Sequence, residues 1–561
     1  MTAWATIRRF GVALALLAGV SVPNLAAQPK KPAPLQPNQS PKLTSAQLRE
    51  QADAAERAGD WELAFNSYCH LFVADRSAPD VREKLNAALR RAQQARRHRD
   101  AGFVRYASGM SLGNGLDLFA EVVQKVPGAY VERDKATPRQ LWASAIEELD
   151  RALGSHAFRQ AFLDSPKPEQ VDAFRAALRR DWSARDVSDF KDARTQLRNL
   201  IGDAQDAFAV RVPAALAVEC SFGACSGLDE YTALVTPSAA EAAAVPDLSA
   251  AGVYLAYAKA ELTVQAVAPG SWAAHHTALR RGDRITRING RPTAGLGLPG
   301  IADALRAPVD GSHMLEITVN DEASLVARVP ATVPTVYGSR PMHTKEIGYI
   351  RIGSFTTNTP RELDDAINAR KADGARVLVL DLRGNHGGSF LAGVETARRL
   401  LANGLIVTTQ GQAAEVANAV FSSDTGAAAH DIPLVVLIDG ETASAAEVVA
   451  GALKDNNRAT LVGMPSFGKG TMQFPMKLTA IDETDANGKK VNKTGTVRLT
   501  VAKLIAPGGA YNGTGIAPHF PEADPALQIE LAAEKALELL PQTMMRMVPV
   551  MPAIPGVPGQ P

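Results

Sequence analysis

The sequence predicts a multidomain α/β protein with an α-helical N-terminal region. Three observations carry this. From Lys345 onward, Val- and Leu-rich runs alternate with segments of helical period: IGYIRIGSF, PRELDDAINARKADG, ARVLVLDLRG and IPLVVLIDG. Near-continuous apolar strands between helices indicate a largely buried sheet. Upstream of residue 245 the apolar residues recur at helical spacing, whereas residues 246–335 hold short β-type pieces bounded by Gly, Pro, Asn and Asp. The 561 residues exceed what one hydrophobic core supports.

Residues 1–27 pair Arg8 and Arg9 with an apolar run from Val12 to Val22 and end in small residues, the layout of a secretory leader. Export is expected, to the periplasm or cell envelope of a bacterium; the other reading is an uncleaved membrane anchor. Residues 28–43, rich in Pro, Gln and Lys, read as an extended linker. Residues 44–100 read as helices split at Gly59-Asp60 and again before Pro79. Ala55, Gly59, Trp61, Ala64 and Tyr68 resemble one tetratricopeptide unit, which either docks an adaptor or forms a helical layer of its host. Residues 101–245 continue helical, leaving through SGLDEYTALVTP by a turn and a short strand. In 246–335 strands are expected at Val253–Tyr257, Leu262–Val267, Arg284–Ile288 and Met314–Val319, with an Asn-Gly turn in INGRP. Residues 336–540 form the α/β core, and 541–561, rich in Pro and Met, read as a disordered tail.

Sixty basic and fifty-nine acidic residues leave the net charge near zero, which gives no support to a nucleic-acid partner. Of three cysteines, Cys69 lies in an apolar helical pattern and reads as core. Cys220 and Cys225 stand close together, with Gly223 to ease a loop; a disulfide and two unpaired thiols are both open. A zinc site is not supported, since no second Cys or His pair with ligand spacing accompanies Cys220 and Cys225, and no metal or other cofactor is implied.

The chemistry concentrates in ETASAAEVVAGALKDNNRATLVGMPSFGKGTMQ. Ser444 follows a buried strand and opens a helix, where free N–H groups and the helix dipole favour developing negative charge; alternatively it merely caps that helix. Lys469 lies 25 residues on, between Gly468 and Gly470. At its ordinary pKa of about 10.4 a lysine is protonated, but burial among few charges lowers it enough to act as general base toward a serine hydroxyl. In LDLRGNHGGSF a strand ending in Asp381 and Arg383 meets a Gly-rich turn. There Gly387 and Gly388 can present N–H groups to an oxyanion together with Ala445.

DLRGNHGG, ETASAAEVVAGALKDNNRATLVG, SFGKGTMQ and AKLIAPGGAYNGTGIAP occur in the order and spacing of one family. Residues 338–525 resemble the core of the C-terminal processing, or tail-specific, serine proteases (peptidase family S41), whose fold is crotonase-like. The resemblance implies Ser444 as nucleophile, Lys469 as general base and Gln473 as the residue that orients the lysine. Ala445 and Gly387 or Gly388 would be oxyanion donors. Residues 246–335 resemble the family's embedded PDZ domain, with LRRGDRITRING as its core. Gly252, Val253, Tyr254 and Leu255 take the place of the carboxylate-binding loop. The implied substrates are polypeptides captured by their C-termini. The sequence departs from the family at Ala446, usually Ser; at His386, usually Pro; and at His519, usually Asp.

The same residues admit other readings. Ser466 and Lys469 spell S-x-x-K and K-T-G follows at 493–495, but the flanking glycines make this stretch a loop rather than the helix that penicillin-recognising enzymes need. A Ser-His-Asp triad would have to draw on His386, which is placed instead in the oxyanion turn as a solvated loop residue. A small-molecule acyl hydrolase and a catalytically retired PDZ-bearing scaffold are the remaining rivals.

Overall fold

The computed structural model describes residues 43–74, 79–237, 248, 251–258, 261–267, 272–296, 300–301, 304–305, 314–319, 325–330, 334–413, 418–424, 430–484, 490–491 and 493–546. The leader, nearly all of the Pro-rich linker and the tail beyond residue 546 lie outside the described residues. The chain divides into two compact units, one of residues 1–333, 409–419 and 470–504, the other of 334–408, 420–469 and 505–561.

The first unit opens with helices Ser45–Ala58, Trp61–Ala74 and Pro79–Arg99. Gly59 ends the first at φ 72, and the Asp60 carboxylate accepts the Leu63 amide to start the second. The third helix is joined to the following bundle by a buried ionic cluster. Arg97 donates to Glu148 at 2.8 Å and Glu219 at 2.7 Å, and the His98 ring lies 3.1 Å from Glu219. Burial would push the Glu219 carboxyl up, but Arg97 and His98 bring it down to about 2.

The bundle core is built from Phe119, Trp142, Leu149, Phe158, Phe162, Leu200 and Leu216, among others. Its last helix, Pro213–Ser226, holds both Cys220 and Cys225. The sequence had left a disulfide open; both cysteines are instead free and buried five residues apart on one continuous helix. Gly223 serves close helix packing rather than a loop: a Cβ there would sit 2.4 Å from the Glu148 side chain and 2.8 Å from the Ser144 carbonyl. Cys69 is buried as expected.

The strand Ala233–Val235 then pairs antiparallel with Thr496–Ala506, whose other neighbours include Thr471–Lys477. A separate small sheet follows, its strands Val253–Ala258, Glu261–Val267, Arg284–Ile288, Met314–Val319 and Leu325–Pro330 in sequential antiparallel order. Asn289 and Gly290 take positive φ (51° and 73°), the turn that an Asn-Gly pair favours.

The second unit is built on a six-stranded sheet. Its order is Phe520–Pro521, Ala459–Gly463, Leu434–Ile438, Val377–Asp381, Thr344–Ile352 and Val336–Met342. All neighbours are parallel except the last hairpin. The central strands VLVLD and LVVLI are buried at every position, as their unbroken apolar runs require. Helices Thr359–Ala372, Phe390–Leu400 and Ala445–Asp455 connect successive strands, and Pro525–Arg546 closes the unit. This last helix runs six residues into the expected disordered tail. The residues after Pro541 include Gln, Met and Arg, which are good helix formers, so the compositional reading placed the end too early.

Candidate active site

Two neighbouring parallel strands of the second unit end side by side, and the loops that follow them lead to Ser444 and to the glycine turn. Leu434–Ile438 leads through 439–443 to Ser444; Val377–Asp381 leads through 382–388 to Ser389. The loops are tied together. Asp439 Oδ1 accepts the amides of Gly384, Glu441 and Thr442, and the Thr442 hydroxyl donates to the Leu382 carbonyl at 2.9 Å. Asn385, fully buried, donates from Nδ2 to the Ile352 carbonyl and accepts the Gly387 amide at 2.8 Å, while its carbonyl accepts the Ala443 amide.

Ser444 is half-buried at the start of Ala445–Asp455. Its φ of 58° and ψ of −119° lie outside the extended region that capping residues normally use. A non-glycine residue there is strained, by roughly 1–3 kcal/mol. What holds it is Glu447, a residue the sequence reading passed over. The Glu447 carboxylate is fully buried and accepts four hydrogen bonds: Ser444 N–H and Lys469 N–H at 2.8 Å on Oε2, and Ser466 hydroxyl and Gly468 N–H at 2.6 Å on Oε1. One carboxylate thus fixes the backbones of Ser444 and Lys469 together. Burial raises the Glu447 pKa; the bonds from Ser466 and the three amides oppose this only in part. The surroundings of the lysine are therefore not simply poor in acidic groups, as the sequence suggested, because Glu447 lies at its own backbone. In sequence, Glu447 stands third into the helix, a position where a capping-box Glu is common, and that signal would have found it.

Lys469 is buried, 8% exposed, in a loop without helix. That loop is pinned on both sides. Gly468, at φ 89°, accepts the Gly513 amide at 2.7 Å, and a Cβ there would meet Gly515 N at 2.9 Å. The Ser466 hydroxyl accepts the Ile516 amide at 2.6 Å while donating to Glu447. Ser466 is thus a buried brace.

Gly387 and Gly388 take φ of 97° and 136°. A Cβ on Gly387 would lie 2.8 Å from the Ser444 Cβ, and one on Gly388 2.2 Å from the Phe355 carbonyl oxygen, so neither position admits a side chain. The flanking backbone is sewn to Phe355, whose amide donates to Gly387 O and whose carbonyl accepts the Ser389 amide. The Gly387 amide already donates to Asn385, whereas Gly388 is exposed. Ala445 is the first residue of its helix, so its amide has no acceptor within that helix. His386 is half-buried, with Nδ1 3.2 Å from the Glu441 carbonyl, rather than a freely solvated loop residue. His519 accepts the Leu461 amide on Nδ1 at 2.9 Å, extending a strand edge.

Behind the glycine turn, Asp381 is completely buried among Arg351, Arg383 and Tyr349. Burial pushes its carboxyl up, but the two guanidiniums and the phenol overcome that and hold it at about 2. Arg383 also reaches the Pro525 carbonyl and Gln528, fastening the last helix to this end of the sheet.

Gln473 belongs to the first unit, on Thr471–Lys477, where its amide nitrogen donates to the hydroxyls of Thr471 at 3.0 Å and Thr500 at 3.2 Å. Of the four expected carboxylate-binding residues, Gly252 forms a turn at φ 80° and Val253, Tyr254 and Leu255 enter the first strand of the small sheet. Val253 is fully buried in that domain's core; Tyr254 and Leu255 are half-buried.

Comparison with known proteins adds sequence kinship to this geometry. Residues 346–521 match the model of peptidase family S41, and 263–319 match that of the PDZ domain. The carboxyl-terminal-processing protease of Synechocystis sp. is 36% identical over 255 residues, 44% of this chain and 55% of the relative. The chloroplastic C-terminal processing peptidase of Tetradesmus obliquus is 32% identical over 278 residues, 46% and 56% of the two chains. The carboxy-terminal processing protease CtpA of Bacillus subtilis is 32% identical over 243 residues, 42% and 48%. The chain thus spans about half the length of the curated relatives it matches. No helix among the described residues is long and apolar enough to cross a membrane, and no cluster of His, Cys, Asp and Glu among them is arranged to hold a metal ion. The chain therefore carries a peptidase family S41 domain together with a PDZ domain.

Proposed function

We propose that this protein is an exported serine endopeptidase of the C-terminal processing type. The observation that carries the reading is the shared anchor: one buried carboxylate, Glu447, holds the backbones of both Ser444 and Lys469. Ser444 attacks the scissile carbonyl while a neutral Lys469 accepts its proton, and the tetrahedral oxyanion is met by the amides of Ala445 and the glycine turn. With the Gly387 amide engaged by Asn385, Gly388 is the better donor of the two. Lys469 returns the proton to the leaving amine, and water then hydrolyses the acyl-enzyme. Gln473 orients the lysine, and the PDZ domain captures substrate C-termini along Gly252–Leu255.

The test is covalent. A fluorophosphonate should label wild-type protein at Ser444, found by peptide mass spectrometry. Ser444→Ala should lose both the label and cleavage of an unfolded protein, with the far-UV spectrum unchanged. Lys469→Ala should do the same. A lysine variant that cleaves at the normal rate would remove the dyad, and an unlabelled but folded wild type would favour the retired scaffold.

A further inference from the structure

The strand pair that carries Gln473 contains an irregularity. Met472 faces Ala502, but Gln473 faces Thr500, so the ladder skips Val501. In regular register Gln473 would oppose Val501, which is buried in the apolar core of the bundle. The bulge places a half-buried amide against a hydroxyl that is only 1% exposed.

That hydroxyl is polarised from behind by Asp229, in the turn of SGLDEYTALVTP. Asp229 Oδ1 accepts the amides of Tyr231 and Thr232, both at 2.7 Å, and the Thr500 hydroxyl at 3.2 Å. Its Oδ2 accepts the Thr232 hydroxyl at 2.9 Å. A hydroxyl has one proton to give, and a carboxylate gives none. The Thr232 proton goes to the nearer Oδ2 rather than to Thr500 at 3.4 Å, and the Thr500 proton goes to Oδ1. Thr500 is then left with lone pairs only toward Gln473, and can accept from Nε2 but cannot donate to Oε1. The reverse orientation of the amide would face nitrogen-acceptor geometry with an oxygen, two acceptors in contact. Arg498, which donates to the Tyr231 carbonyl at 2.9 Å, and the buried Tyr130 phenol also lie near Asp229, and Glu230 follows it in the chain.

We propose that Asp229 and Thr500 are positioning residues that fix the sense of the Gln473 amide. Its nitrogen is held on Thr471 and Thr500, which turns its carbonyl oxygen away from both hydroxyls. The segment leading into the PDZ domain thereby sets the orientation of a residue of the catalytic machinery. This rests on the reading that Gln473 orients Lys469.

The experiment is steady-state cleavage of an unfolded protein by full-length Thr500→Val, Thr500→Ser, Asp229→Asn, Gln473→Ala and the Thr500→Val/Gln473→Ala double variant, each checked for native thermal unfolding. Thr500→Val should lower kcat about tenfold, the effect of losing one ordered hydrogen bond, with KM unchanged. Thr500→Ser should restore it, and Asp229→Asn should fall in the same direction. The double variant should be no worse than Gln473→Ala alone, because both changes remove one function. Full activity of a folded Thr500→Val beside an impaired Gln473→Ala overturns the proposal, as does a double variant in which the losses multiply. Full activity of Gln473→Ala overturns the reading beneath it and the proposal with it.

Discussion

Two serines of the second unit stand at equivalent places and behave differently. Ser389 and Ser444 each follow the loop after a buried strand, the strands are hydrogen-bonded neighbours, and each serine opens an eleven-residue helix. Ser389 sits at φ −62° and ψ 120° and its hydroxyl accepts the Ala392 amide. Ser444 sits at φ 58° and ψ −119°. Thr44, Asp100, Ser111, Thr137, Ser155 and Asp189, whose side chains also cap helices, are all extended. A serine that merely caps a helix takes the relaxed backbone that Ser389 shows. Ser444 is held in a strained one, and strain that persists is over-determined by its surroundings. Here the determinant is Glu447, which accepts the Ser444 amide from the third position of the helix, where the Ser389 helix has Ala392.

The largest disturbance of that contrast, short of removing Ser444 itself, is Glu447→Gln. An amide offers one acceptor oxygen where the carboxylate offers two, so its NH2 must face donors it cannot satisfy. Each stranded buried donor costs roughly 1–3 kcal/mol. Ser444 should relax toward the geometry of Ser389, and kcat/KM should fall by about 100-fold while the protein remains folded. Parallel assays of peptidase rate and thermal unfolding would check this. Unchanged activity would mean that the hold of Glu447 on the Ser444 backbone has no bearing on cleavage.

The same two loops are backed by buried carboxylates that respond oppositely to their surroundings. Glu447 is raised, because its burial outweighs the hydrogen bonds it accepts; Asp381, between Arg351 and Arg383, is brought down to about 2. For Asp381 the folded value lies below the unfolded one. Its contribution is therefore complete above the unfolded pKa near 4 and is lost as pH falls through about 2. The shift is worth about 2 kcal/mol. Urea unfolding of wild type and Asp381→Asn should differ clearly at pH 6, and the gap should narrow by that amount between pH 4 and pH 2. A gap independent of pH would place the effect in packing.

How much of this was legible in the sequence depends on the range of the interaction. The alternation of buried strands and helices, the Asn289-Gly290 turn and the helix opened by Ser444 all follow from local pattern and appear where expected. The departures arise where long-range packing overrides local cues. Gly223 looked like a loop residue because only the Glu148 and Ser144 it packs against explain it otherwise. The partners that make Asn385 and Ser466 buried braces lie far along the chain, so no local pattern reveals those roles. The strain at Ser444 is invisible in TASAAE, as is the bulge that sets Gln473 against Thr500.

The smallest effect tests the comparison from its ordinary side. Ser389→Ala removes one side-chain acceptor from the Ala392 amide and leaves the backbone bond from the Ser389 amide to Phe355 in place. Loss of a capping serine costs typically about 1 kcal/mol. Thermal unfolding should therefore come at lower temperature by a few degrees at most, with peptidase activity unaltered. Ser444→Ala should show the converse, because alanine at φ 58° is no less strained than serine and the Glu447 bond to that amide remains. Its unfolding should match wild type while cleavage disappears. If both alanine variants lost stability alike and neither lost activity, the two serines would be doing the same job, and the unusual backbone at Ser444 would have no catalytic meaning.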